Sequence, residues 1–174
     1  DAVGLRIMAS TVSEMVVCSS CSKNFGLYRE RIGAVSVMGK TPAAAEIANS
    51  VVQNVARGNY SMPPAHGAII VDTILSSTEL RAMWEQELAE MRTRINEYRR
   101  LMVEALAAAG VEQDFSFIQR QFGMFSFFGL EPEYIERLKS EFSIYMVGSS
   151  RMNVAGLSKS NIDYFAQSVA SVLK

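Results

Sequence analysis

Between Thr78 and Ala109 apolar side chains return every three or four residues: Leu80, Trp84, Leu88, Met91, Ile95, Tyr98, Met102 and Ala105, with Arg and Glu between them. That period predicts one long amphipathic helix stopped by Gly110, its apolar stripe packed into a core and its charges in water. Thr41 before Pro42 has the form of an N-cap and first helical position, and the alanine-rich run 43–56 continues it as a helix until Gly58. The Pro63-Pro64 pair then enforces an extended break.

The remaining segments carry shorter patterns. The opening stretch reads as alternating short strands and turns, with Val16 and Val17 forming a buried strand that ends in the polar cluster Cys18-Ser19-Ser20-Cys21-Ser22. Beyond Gly110 the short apolar runs 115–118, 124–128, 144–147 and 152–154 predict strands. Segments 132–142 and 158–173 predict helices, the second capped by Ser158 with Ile162, Phe165, Val169 and Val172 on one face. Helices covering one face of a small sheet make an α/β or α+β layered domain. No internal repeat or low-complexity tract interrupts this order.

Composition narrows the function classes. The 174 residues are 49% hydrophobic and 20% charged, which fits a folded globular chain. A net charge of -1 supplies no overall basic field for nucleic acid or an anionic membrane surface. No apolar run approaches the roughly 18–20 residues of a membrane span, so a soluble chain is expected. Cys18 and Cys21 form a C-x-x-C spacing, but with one His in the chain they do not complete the usual four-ligand zinc set. No metal is expected, and reduced thiols in a cytoplasmic protein are the simpler reading. The sequence starts at Asp1 without Met or a signal segment, which implies truncation or processing.

The chemistry concentrates in one stretch, S-C-S-K-N-F-G-L-Y-R-E-R from Ser20 to Arg31. Lys23 follows an apolar strand, where partial desolvation and nearby cations would lower its pKa and prepare the amine to attack a carbonyl. A turn at Gly26 would bring Arg31 back towards Ser20, and a guanidinium fork with a hydroxyl suits a phosphate. The bland alternative is a solvated turn with an exposed lysine.

The run S-C-S-K-N-F-G-L-Y-R-E-R-I-G closely resembles the cofactor-lysine motif of class I pyridoxal-phosphate aminotransferases, in the aspartate/aromatic amino acid subgroup. Three further segments agree in order: R-G-N-Y-S-M-P-P-A-H-G-A from Arg57, G-M-F-S-F-F-G-L from Gly123 and S-R-M-N-V-A-G-L from Ser150. The resemblance covers essentially the whole chain. It implies the C-terminal part of a type I α/β fold: residues 1–77 from the large cofactor-binding domain, 78–109 as a connecting helix and 110–174 as a small C-terminal domain. It further implies pyridoxal 5'-phosphate as cofactor, an amino acid and a 2-oxo acid as substrates, and a homodimer.

By the same resemblance Lys23 is the lysine that attaches the cofactor and moves the proton, while Ser20 and Arg31 bind its phosphate. Arg151 matches the clamp on the substrate α-carboxylate. Arg57 matches the arginine that reaches a distal carboxylate from the neighbouring subunit, with Ser61 in the same segment, and Phe127 matches an aromatic at the site mouth. Met62 stands where strict aspartate enzymes commonly carry Asn, and a polarizable thioether there favours acceptance of both dicarboxylic and aromatic amino acids. His66 is expected to serve its turn structurally.

Segments that would supply the carboxylate at the cofactor's ring nitrogen, the stacking aromatic and the rest of the phosphate cup would lie before Asp1, so the chain alone is expected to be inactive. A second chain carrying that N-terminal half is the implied partner. The competing reading is a catalytically silent aminotransferase-like module kept for oligomerisation. Lys23, Arg31, Arg57 and Arg151 together favour the enzyme, since a folding module needs none of those charges at those points.

Overall fold

A computed structural model describes residues 2–174; Asp1 lies outside them. The chain divides into two compact units, Asp1–Glu85 and Gln86–Lys174, with the border inside a long helix. Helices dominate both, and each unit holds one two-stranded antiparallel sheet.

The first unit opens with a helix, α1 (Val3–Thr11), where strands and turns were expected. Good helix formers such as Leu5, Arg6, Met8 and Ala9 outweigh the local Val and Gly. Strands β1 (Met15–Ser20) and β2 (Gly33–Met38) form a hairpin running from Met15↔Met38 to Ser20↔Gly33. Contrary to the buried strand expected, no residue of β1 is buried; Met15 and Val17 are half-covered and Val16 and Cys18 exposed.

Helix α2 (Pro42–Tyr60) starts as predicted, with the Thr41 hydroxyl accepting from the Ala44 amide at 3.1 Å. It runs through Gly58 rather than stopping there, since one glycine costs about 1 kcal/mol and the helix continues only to Tyr60. After the diproline break, α3 (His66–Ser76) adds a helix with no counterpart in the expectations.

Helix α4 (Thr78–Ala108) agrees with the 3.6-residue pattern almost to the residue. Its stripe, however, has two fates. Ile95, Tyr98, Met102, Ala105 and Leu106 join the core of the second unit, whereas Leu80 and Met91 are exposed. Nor are all its charges in water: Arg99 shares the buried face with Met102 and Leu106, in the i, i+3, i+7 positions.

The second unit owns the core. Among the described residues every buried apolar side chain lies between Met102 and Val172. Phe128 stacks on Phe115 at 4.5 Å and meets Phe165 edge-on at 5.5 Å. Strands β3 (Phe125–Phe127) and β4 (Arg151–Asn153) pair as Phe125↔Asn153 and Phe127↔Arg151, and α5 (Pro132–Phe142) and α6 (Ile162–Val172) pack beside them.

Three expectations in this unit need correction. The run 115–118 belongs to a 3₁₀ turn, Ser116–Arg120, because the Asp114 carboxylate caps the Ser116 amide at 2.7 Å. The run 144–147 is not a strand, as no ladder partner pairs with it among the described residues. The last helix is preceded by Asn161 rather than Ser158; Ser158 starts a turn whose carbonyl accepts from the amides of Asn161 and Ile162. By contrast α5 keeps its expected bounds.

Candidate active site

Strand pairing fixes the position of the first group of candidate residues. Ser20 is opposite Gly33, and the next amide, Cys21, donates to the Ile32 carbonyl at 3.0 Å, so the segments holding Ser20 and Arg31 leave the same end of the hairpin. Gly33 has no substitute there, because a Cβ would stand 2.3 Å from the Ser19 carbonyl oxygen. The intervening loop turns twice with positive φ, at Gly26 (67°) as expected and at Arg31 (51°).

Lys23, Ser20 and Arg31 thus belong to one hairpin end. Ser20 Oγ accepts from the Ser22 amide at 3.2 Å, and Arg31 donates from Nη1 to the Tyr28 carbonyl at 3.0 Å, closing the loop on itself. The Lys23 ammonium stands 4.2 Å above the Tyr28 ring. Lys23 is exposed in this chain, which corrects the expected desolvation. The strands that carry the turn have no buried residue, although Ser22, directly before Lys23, is itself buried.

His66 has the structural role expected of it, but across the unit rather than within its own turn. Its Nδ1 stands 2.9 Å from the Glu30 carboxylate, immediately before Arg31. Gly67, one of the few buried residues of this unit, lets α3 approach so closely that a Cβ would meet Glu30 Cβ at 3.0 Å and Ile32 Cβ at 3.2 Å. Arg31 is therefore flanked on both sides by residues that α3 touches.

Arg57, Ser61 and Met62 lie at the other end of α2 and are exposed, Met62 at 81%. Ser61 takes a positive φ of 61° and its amide donates to the Arg57 carbonyl at 3.0 Å, so the two are held one helical turn apart.

In the second unit Arg151 and Phe127 are direct neighbours across the β3–β4 ladder. The two-residue alternation puts Phe125 and Phe127 on one face, which is exposed, and Ser126 inside. The Arg151 guanidinium lies 5.0 Å from the Phe125 ring centre, an arrangement in which the cation meets the ring's negative face. Beside it a cleft of about 430 Å³ is lined by Phe125, Ile144, Met146, Asn153 and Tyr164 along with Arg151 itself.

Two residues tied to these places were not singled out. Trp84 donates its indole N–H to the Asn24 carbonyl at 2.7 Å and stacks on Phe25. Arg99 donates to the carbonyls of Gly123 at 2.7 Å and Phe125 at 2.9 Å, to that of Ile118 at 3.4 Å, and to the Ser126 hydroxyl. Burial draws its guanidinium pKa below the usual value, and all of its partners are neutral. Both side chains read as ordinary members of one helix, because partners 19 to 60 residues away leave no mark in local periodicity.

An amine, a hydroxyl and a guanidinium at one hairpin end, with an arginine set against an aromatic strand elsewhere, make a donor set suited to a phosphorylated carbonyl and to carboxylates. The chain belongs to the aminotransferase class I and II family, whose model matches residues 1–169. It is 49% identical over 173 residues to an aspartate aminotransferase of Escherichia coli, covering 99% of this chain and 44% of that protein. It is 44% identical over 172 residues to an aromatic-amino-acid aminotransferase of Pseudomonas aeruginosa, covering 99% and 43%. A solved aromatic-amino-acid aminotransferase from Burkholderia pseudomallei, covalently bound to pyridoxal phosphate, superposes with a TM-score of 0.93 at 47% identity, over 99% of this chain and 43% of that one. The fold is accordingly the α/β fold of aminotransferases, and the chain spans less than half the length of these relatives.

Among the described residues no helix is long and apolar enough to cross a membrane, and no three His, Cys, Asp or Glu cluster as a metal site.

Proposed function

We propose that this chain is the C-terminal portion of a pyridoxal-phosphate aminotransferase that moves an amino group between aspartate, glutamate or aromatic amino acids and 2-oxo acids. The observation that carries the reading is the hairpin end holding Ser20, Lys23 and Arg31, in a chain related to both aspartate and aromatic enzymes. In the domain terms of that reading, residues 1–77 belong to a large domain, 78–109 connect, and 110–174 form the small domain. The exposed stripe Ile47, Val51 and Val55 on α2 suits a layer that further chain would cover. Alone, the chain is inactive; it works in a homodimer completed by its N-terminal half, in the reducing cytoplasm that suits its free cysteines.

The donor set fits the cofactor. Arg31 supplies charge and Ser20 a neutral hydrogen bond for its phosphate, and Lys23 is an amine for its carbonyl. When bound, pyridoxal phosphate supplies an electron sink for chemistry at the amino acid's α-carbon. Lys23 Nζ takes the α-proton and returns it on the other side of the transfer. Arg151 fixes the α-carboxylate in one orientation by its two-donor fork. Arg57, acting with Ser61 from the neighbouring subunit, pairs with a second carboxylate, while Met62 and Phe127 accommodate an aromatic side chain. Transfer from aspartate to 2-oxoglutarate by the enzyme assembled with its N-terminal half tests the reading. Lys23→Ala is expected to abolish it, and full turnover in that variant would refute the assignment.

A further inference from the structure

We propose that Trp84 is a positioning residue for Lys23, an inference that rests on the reading of Lys23 as the cofactor lysine. The turn is closed further along by Arg31 on the Tyr28 carbonyl at 3.0 Å, but the backbone bonds next to Lys23 are longer: the Phe25 amide donates to the Cys21 carbonyl and the Gly26 amide to the Lys23 carbonyl, both at 3.3 Å. These are long for N–H···O bonds, which favour about 2.9–3.0 Å. Trp84 provides the firmer hold. Its Nε1 donates to the Asn24 carbonyl at 2.7 Å, and its ring lies on Phe25 with centroids 4.6 Å apart and planes 14° from parallel.

Trp84 therefore grips the two residues that directly follow Lys23. A position that periodicity assigns to a core is used instead to fix a turn, whereas Leu80, one turn earlier on the same stripe, is exposed. Fixing the Asn24 carbonyl and the Phe25 ring restricts the backbone torsions that set the direction in which the Lys23 side chain leaves. The Tyr28 ring lies 4.2 Å from the ammonium at the far end of the side chain, while a fixed backbone sets the direction from which it starts, and a reactive amine gains from having few such directions. Its role is to act through the turn, by way of Asn24 and Phe25.

The test compares the wild-type protein, assembled with its N-terminal half, with its Trp84→Phe variant, which keeps an aromatic ring and removes the N–H donor, and its Trp84→Ala variant, which removes both. Amide hydrogen exchange at Phe25 and Gly26 is expected to quicken about 2- to 12-fold in Trp84→Phe, the factor for one neutral hydrogen bond, and further in Trp84→Ala. Unchanged exchange in both variants overturns the inference whatever the cofactor reading. The second readout is reductive trapping of pyridoxal phosphate on lysines followed by peptide mapping, with exposed Lys40 as internal reference. The wild type is expected to favour Lys23 over Lys40, the preference falling in Trp84→Phe and further in Trp84→Ala while Lys40 labelling stays constant. A wild-type preference kept in full by both variants overturns the role of Trp84 and leaves the cofactor reading standing. Equal labelling of Lys23 and Lys40 in the wild type overturns the cofactor reading, and faster exchange in the variants then still supports the hold of Trp84 on the turn.

Discussion

Replacing Arg99 by Met should destabilise the second unit far more than removing an ordinary helix charge. Met retains the apolar stem but leaves the carbonyls of Gly123 and Phe125, bonded to the guanidinium at 2.7 and 2.9 Å, without that donor. A fully buried acceptor left unsatisfied costs about 1–3 kcal/mol, so the two together cost roughly 2–6 kcal/mol, towards the lower figure here because both bonds are only part-buried and water can replace some of the donor. The third carbonyl, Ile118 at 3.4 Å, adds little at that distance, and the Ser126 hydroxyl can rotate. Domains are stable by only about 5–15 kcal/mol, so even the lower figure is a large share. Urea unfolding followed by circular dichroism and tyrosine emission measures it: with a slope of about 2 kcal/mol per molar, the midpoint should fall by at least about 1 M. Arg99→Lys should recover only part, since an ammonium cannot span the acceptors that a planar fork reaches. Ser126→Ala should cost less than Arg99→Met. A midpoint for Arg99→Met within about 0.2 M of wild type would refute the claim that this cation holds β3, and with it the neighbouring Arg151, to α4.

Arg57→Leu in the assembled enzyme should lower kcat/KM for aspartate by about 10- to 150-fold, the worth of one charge-assisted contact of roughly 1.5–3 kcal/mol, and spare phenylalanine. Arg151→Lys should instead impair both donors, because each carries an α-carboxylate; equal losses for both donors in Arg57→Leu would make Arg57 a scaffold residue. The Asp114 carboxylate is held below its ordinary pKa by the Ser116 amide and hydroxyl, so its contribution to stability is present above the unfolded pKa, about 3.9, and is lost as pH falls through the lower folded value. Melting temperatures of wild type and Asp114→Ala should therefore differ at pH 7 and converge in strong acid, and a pH-independent gap would contradict this.

Local signals made the helical frame legible. Thr41-Pro42 marked the start of α2, and the stripe from Leu80 to Ala105 marked α4, because caps and periodicity act within a few residues. Short apolar runs were less informative: 124–128 and 152–154 found each other as β3 and β4, whereas 144–147 is at least as apolar and has no strand partner among the described residues. Strand status depends on a distant partner, which composition does not reveal. Helix α3 was hidden behind the diproline, whose effect ends before His66.

The candidate site divides in the same way. That Ser20, Lys23 and Arg31 come to one hairpin end was legible, because their spacing is local and the turn at Gly26 returns the chain; the register of the hairpin places its two arms there. What supports them is not local. Trp84 reaches Asn24 across 60 residues and His66 reaches Glu30 across 36, and both had been read only as parts of their own segments. Buried Arg99 violates the rule that charges on an amphipathic helix face water, which is why its acceptors among backbone carbonyls could not be foreseen.

The central claim, that Lys23 is the amine prepared for a phosphorylated aldehyde, is tested most directly by absorption spectra of pyridoxal phosphate titrated into the protein assembled with its N-terminal half, alongside its Lys23→Ala variant. The wild type is expected to develop a saturable protein-bound band in the visible range, and Lys23→Ala to leave only the spectrum of the free compound. The same band at the same affinity in Lys23→Ala would contradict the account.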